Sequence, residues 1–159
     1  MRVSAKADYA VRAMIELVGS SEDAPVKGDR IASDQGIPLH FLENILAELR
    51  RAGLVHSRRG IEGGYWLGGA DDEITIADVI RAVEGPLATV RGDRPDGLSY
   101  PGDAAPLQHV WVALRANIRQ VLETVTLADV VADRLPEPVR SLADHSEVAD
   151  VRPLRRRRA

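Results

Sequence analysis

Apolar residues return at three- and four-residue steps in several separate stretches of this chain, a period that marks helices with one buried face. After Ser4, which can cap a helix, the positions Ala7, Ala10, Val11, Met14, Ile15 and Val18 predict a first helix. Gly19 and the polar run Ser20 to Asp23 end it. Beyond Pro25, residues 29–35 predict a short helix that runs into Gly36-Ile-Pro38. There Gly36 can take the left-handed cap and Pro38 can open the next helix. Residues 38–51 place Leu39, Leu42, Ile45, Leu46 and Leu49 on one side. His40, Glu43, Asn44, Ala47, Arg50 and Arg51 fall largely on the other. The expectation is two helices across a tight turn, the second with a polar outward face.

Gly53 closes that helix, and the pattern changes period. Leu54-Val-His-Ser-Arg-Arg59 alternates as a strand does, Gly60-Ile-Glu-Gly-Gly64 follows, and Tyr65-Trp-Leu67 predicts the returning strand of a glycine-tipped hairpin. Thr75-Ile-Ala-Asp78 has the form of a capping box ahead of a helix over 76–84 that stops at Gly85-Pro86. Thr126-Leu-Ala-Asp129 repeats the device. Between them, residues 87–106 hold Gly92, Pro95, Gly97, Pro101, Gly102 and Pro106 and predict an exposed loop. From Leu107 onward, Val110, Trp111, Leu114, Ile118, Val121, Leu122 and Val125 form an apolar stripe that predicts one long helix.

The chain thus divides into a helix–turn–helix and hairpin unit (1–86), a loop (87–106) and a long helix with a following short one (107–135). A polar, Arg-rich tail (136–159) follows and is expected to be disordered. The fold class expected is mainly α with a small β-hairpin: a winged helix-turn-helix followed by a long C-terminal dimerisation helix. A length of 159 residues fits about one domain and excludes a large multi-domain enzyme. Aromatic residues are 4% of the chain, so the core must come from Leu, Val, Ile and Ala. There is no cysteine, which excludes disulfides, thiolate nucleophiles and cysteine-held iron–sulfur clusters. The start of the chain is too polar for a signal peptide, and no apolar run approaches the roughly 18 residues of a membrane span. A cytoplasmic protein with no membrane partner is expected.

The net charge of -3 conceals an uneven distribution. Residues 70–109 hold three basic and eight acidic groups, whereas residues 152–159 hold five Arg and no acid. Within 49–60, Arg50, Arg51, Arg58 and Arg59 face no carboxylate in sequence, and His56 lies among them. Local charge is what a DNA backbone feels.

Helix, turn, helix and hairpin is the order of a winged helix-turn-helix, whose second helix enters the major groove while the hairpin reaches the neighbouring phosphates or minor groove. His40, Glu43 and Asn44 lie in the first turns of that second helix. Glu can accept from cytosine N4, and Asn can pair with adenine. Arg58 and Arg59 beside Gly60, Gly63 and Gly64 suit a narrow minor groove, where the negative potential is strongest. The alternative for the same residues is a solvated helix face and a charged turn. No G-x-S-x-G, H-E-x-x-H or Walker-type Gly-Lys-Ser/Thr motif occurs, so an enzyme is not expected. The four histidines, His40, His56, His109 and His145, have no ligand spacing among themselves, and no metal site is expected. A reader of symmetric half-sites usually needs a two-fold partner, and the stripe of residues 107–125 is the candidate dimer interface, the alternative being the core face of a helix. The Arg tail suits non-specific phosphate contact, since a flexible run of like charge has no fixed geometry.

Four stretches resemble the Rrf-two family of winged-helix repressors, that of the iron–sulfur cluster regulator. They are Met1 to Met14, Ile37-Pro-Leu-His-Phe-Leu-Glu-Asn-Ile-Leu to Val55, the wing Ser57-Arg-Arg-Gly-Ile-Glu-Gly-Gly-Tyr65, and Ile74-Thr-Ile-Ala-Asp-Val-Ile-Arg-Ala-Val-Glu-Gly85. The resemblance spans roughly residues 1–135 and implies a homodimeric repressor of double-stranded DNA with a two-fold symmetric operator. It implies that Glu43 discriminates sequence in the major groove and that Arg59 enters the minor groove. It also implies that Tyr9, His40, Asn44 and Ser57 lie at or near DNA. Many relatives hold an iron–sulfur cluster on three cysteines in the loop equivalent to 87–106, and this loop has none. Asp8, at the position of a fourth cluster ligand in some relatives, and His109 remain, and two such ligands without thiolates make a poor cluster site. No cofactor is therefore expected, and the effector is an unidentified small molecule or a metabolic-enzyme partner. Cysteine-free relatives include a repressor of cysteine and sulfur metabolism, which suggests a sulfur-related regulon. The competing expectation is an adaptor on the same scaffold that docks a metabolic enzyme and has little or no specific DNA binding.

Overall fold

A computed structural model describes residues 2–146. Helix α1 (Ala5–Glu16) starts where Ser4 Oγ accepts from the Ala7 amide at 3.0 Å. Its inward positions are Ala7, Ala10, Ala13 and Met14. Three alanines let neighbouring backbones approach closely, and α1 packs against both α3 (Leu39–Arg51) and α4 (Ile76–Glu84). Between them α2 (Gly28–Gln35) ends at Gly36, which takes the left-handed conformation with φ 61°. The Ile37 amide then bonds back to the Ala32 carbonyl at 2.9 Å, which closes the C-terminal end of α2 before the chain enters α3.

Strands β1 (Val55–Arg58) and β2 (Gly64–Leu67) pair antiparallel, with Val55 opposite Leu67 and Arg58 opposite Gly64. Val26 adds a third, one-residue rung: its amide and carbonyl exchange 2.8 Å bonds with Tyr65. The hairpin is thereby anchored to the segment that leads into α2. Met14, Leu17, Ile31, Leu42, Leu46, Leu49, Val55 and Val79 are all fully buried and form a core shared by α1 to α4 and β1. At roughly 1.5–3 kcal/mol for each large side chain, this shared core holds α3 and the hairpin in fixed relation.

Capping boxes at Thr75 and Thr126 start α4 and α6 (Leu127–Val131). The two starts are stitched together, the Ile76 amide bonding to the Val125 carbonyl at 2.9 Å and the Leu127 amide to the Ile74 carbonyl at 3.0 Å. Helix α5 (Leu107–Leu122) comes between them and has no buried residue along its 16 positions. Val110 is 55%, Val112 37% and Leu114 38% exposed, while Trp111, Ile118, Val121 and Leu122 are half-buried. A groove of about 670 Å³ runs between α5, the start of α1 and the end of α4, floored by Ala7, Ile80 and Leu87 and walled by Ile118 and Val121.

Three expectations are corrected. Val125 continues the helical spacing of the stripe, yet α5 stops at Leu122 and Val125 is 6% exposed in the chain's own core. Residues 137–146, expected as part of the polar tail, form helix α7 (Glu137–Ser146), whose Val139 and Arg140 amides bond to the Pro136 carbonyl. The rest of that tail, residues 147–159 with five of its six arginines, lies outside the described residues. The 87–106 loop is folded in part: Pro95 is buried, two short 3₁₀ turns form at Pro95–Gly97 and Gly102–Ala104, and Gln108 Nε2 on α5 donates to the Asp96 carbonyl at 3.0 Å.

Candidate nucleic-acid interface

The amphipathic period of α3 decides what it presents outward. Leu42, Ile45, Leu46 and Leu49 are sealed in the core, so His40, Glu43 and Asn44 project into solvent from its first turns. Among the described residues their side chains have no hydrogen-bond or ion-pair partner in the chain. Leu39, expected on the apolar side, is 44% exposed instead, and Phe41 is 53% exposed.

The far end of α3 meets the wing. Arg50 Nη1 donates to Ser57 Oγ on β1 at 3.1 Å, tying the helix to the strand that bears Arg58. The turn beyond β1 needs glycine twice. Gly60 has φ 104°, and a Cβ on Gly63 would stand 2.1 Å from the Arg58 carbonyl oxygen. Lys27, just before α2, reaches over this turn, and its Nζ donates to the Gly60 carbonyl at 3.2 Å and to that of Ile61. Lys27, Arg50, Ser57, Arg58 and Arg59 line a shallow cleft of about 360 Å³, closed below by the glycine backbone.

Four cations therefore surround one concavity with no carboxylate in its lining. The nearest acid with a contact is Glu22, 3.8 Å from Arg58 Nη1, and both side chains are exposed. Such a pair is worth little in water and leaves Arg58 available. Arg58 Nη2 also donates to the Glu62 carbonyl at 3.3 Å, which steadies the guanidinium beside the turn. Arg59 has no partner among the described residues. A concavity with four cations and a single exposed acid at its edge attracts a polyanion, and backbone phosphates are the matching ligand.

Of the residues singled out from the sequence, Ser57, Arg58, Arg59 and Gly60 come together in the cleft, and His40, Glu43 and Asn44 share the exposed start of α3. Tyr9 does not line the cleft. It lies half-buried on α1 under the Arg12 guanidinium, 5.5 Å from its ring centre. Lys27 was missed, since its partners stand 33 and 34 residues away.

A recognition helix with free polar side chains, rigidly joined to a cationic wing, defines a winged helix-turn-helix DNA-binding regulator. The Rrf2 family model, described as an iron-dependent transcriptional regulator, matches residues 3–133, and the chain belongs to that family. It is 53% identical over 91% of its length, and 89% of the relative's, to a Mycobacterium tuberculosis protein named as an HTH-type transcriptional regulator. It is 34% identical to the Bacillus subtilis regulator CymR, across 83% of this chain and 91% of that one. The solved structure of CymR, called the global cysteine regulator of that organism, superposes with a TM-score of 0.70, covering 83% of this chain and 97% of that one. That of IscR from T. potens superposes at 0.65 with 32% identity, covering 96% and 94%. These relatives are named as transcriptional regulators, a non-enzymatic role.

The residues present do not fit a thiolate-held iron centre. The chain has no cysteine, and among the described residues no three His, Asp or Glu side chains converge on one point. Asp8 is engaged by Arg12 Nη1 at 3.0 Å, and His109 is exposed on α5. Neither belongs to a donor set that iron would select.

Proposed function

We propose that this regulator is a homodimeric, sequence-specific repressor that recognises a two-fold symmetric DNA site without an iron–sulfur cluster. The observation that carries the reading is the cationic cleft, with no carboxylate in its lining, held in fixed relation to the exposed polar start of α3. Such an arrangement positions phosphates with the wing while base edges meet His40, Glu43 and Asn44. Arg59, with no partner among the described residues, is the side chain free to enter the minor groove.

The dimer is supported by α5. Val110 and Leu114, one turn apart on α5, leave an apolar stripe in water, and the groove beside Ile118 and Val121 continues it. A second copy of the chain crossing α5 would cover both, and would set two wings about a two-fold axis. Trp111 and Leu122 complete that face, whereas Val125 does not take part. The absence of cysteine supports regulation by a ligand or protein partner instead of a cluster, and the likeness to a cysteine regulator supports a sulfur-related regulon.

The test is selection of genomic fragments by the purified protein at moderate salt, followed by sequencing. The expected result is a two-fold symmetric site whose neighbouring genes name the regulon. Recovery of unordered, salt-labile DNA alone would overturn specific recognition and put an adaptor that docks an enzyme in its place.

A further inference from the structure

Every large apolar side chain of α3 except two is buried to 2% exposure or less. The exceptions, Leu39 and Phe41, both lie in the first turn, the end of a recognition helix that approaches base edges. Phe41 is 53% exposed, its ring centre is 4.3 Å from that of His40, and it stands one turn before Asn44. The ring thus lies beside His40 at the exposed start of α3, where the polar side chains proposed to read the groove also stand. The major groove offers one apolar feature to such a group, the C5-methyl of thymine.

We propose that Phe41 is a specificity-determining residue that selects thymine by contact with its methyl group. The inference rests on the DNA-binding reading above and deepens it. The His40 ring lies tilted against that of Phe41 at an interplanar angle of 38°, and Asn44, three residues on, would address an adjacent base. Phe41 therefore favours one base over cytosine at a defined position of each half-site, where a hydrogen-bonding residue would have no purchase on the methyl.

The test replaces thymine by uracil, position by position, in the duplex recovered by selection. Uracil keeps every hydrogen-bonding group and loses only the methyl. One position per half-site should weaken wild-type binding, by roughly fourfold for each methyl removed from contact. The Phe41→Ala protein should bind both duplexes equally, and Phe41→Leu, which keeps an apolar side chain, should retain part of the preference. Phe41 is the one phenylalanine in the chain, so 4-fluorophenylalanine gives a single fluorine resonance that should shift on the thymine duplex and move less on the uracil duplex. Binding by the wild type with no uracil-sensitive position, or with the same sensitivity in Phe41→Ala, overturns this inference and leaves the DNA-binding reading standing. Failure of the wild type to retain any ordered site overturns both.

Discussion

Replacing Arg59 by alanine removes a guanidinium that no described residue of its own chain holds. The side chain is exposed and makes no ion pair or hydrogen bond among the described residues, so folding should be indifferent to its loss. Surface changes of this kind stay within about 0.5 kcal/mol. On DNA the same group would make charge-assisted hydrogen bonds, each worth about 1.5–3 kcal/mol. A dimer on a symmetric site loses this twice, or about 3–6 kcal/mol, which is roughly two to four orders of magnitude in affinity. If Arg59 also neutralises a phosphate in each half-site, the slope of log affinity against log salt should become shallower by about 1.8. Fluorescence anisotropy with the selected duplex across a salt series measures both quantities, and thermal melting of the free protein checks the fold. An affinity within threefold of wild type, with the melting midpoint unchanged, would refute a role for the wing. A lowered midpoint would show that Arg59 has a structural partner, contrary to its free state here.

Glu43→Ala should relax base preference more than it weakens binding, with about 1–3 kcal/mol of discrimination at stake, read by competition against single-position variants of the site. An unchanged preference would remove Glu43 from readout. Val110→Glu or Leu114→Glu should convert dimer to folded monomer, since both positions already meet water in the single chain; sedimentation velocity reads the outcome, and a persistent dimer would place the interface elsewhere. The carboxyl of Glu123 is held below its ordinary range by hydrogen bonds from Arg119 and then Arg81, which ties α5 to α4. Its stabilising effect is present above the ordinary Glu value and is lost as pH falls through the depressed one. Glu123→Gln should therefore differ from wild type at neutral pH and converge with it in acid, as measured by urea unfolding across pH.

Much of the fold was legible because its signals are local. Ser4, Gly36 and the two Thr-x-x-Asp boxes act within four residues, and each stands where the sequence placed it. The period of α3 sorted its buried leucines from its outward polar groups, with Leu39 wrong because the first turn projects beyond the core. Val125 misled for a different reason. It keeps the i+4 spacing from Val121, but the bond from the Ile76 amide to its carbonyl comes from an element 49 residues earlier and turns it inward. Helix α7 was hidden by its polarity, although Glu137-Pro138 is a plausible first turn. In the site, the arginines and glycines of the wing stood out as a cluster, whereas Lys27 looked like an ordinary surface cation. Its hold on the Gly60 and Ile61 carbonyls exists only once α2 is folded beside the hairpin.

Hydroxyl-radical footprinting of the wild-type protein on a selected genomic site tests the central claim most directly. Two protected patches, related by a two-fold axis and centred about one helical turn or a multiple of it apart, are the predicted result. A single continuous or position-independent protection would contradict a dimeric regulator that reads two half-sites with α3 and the wing.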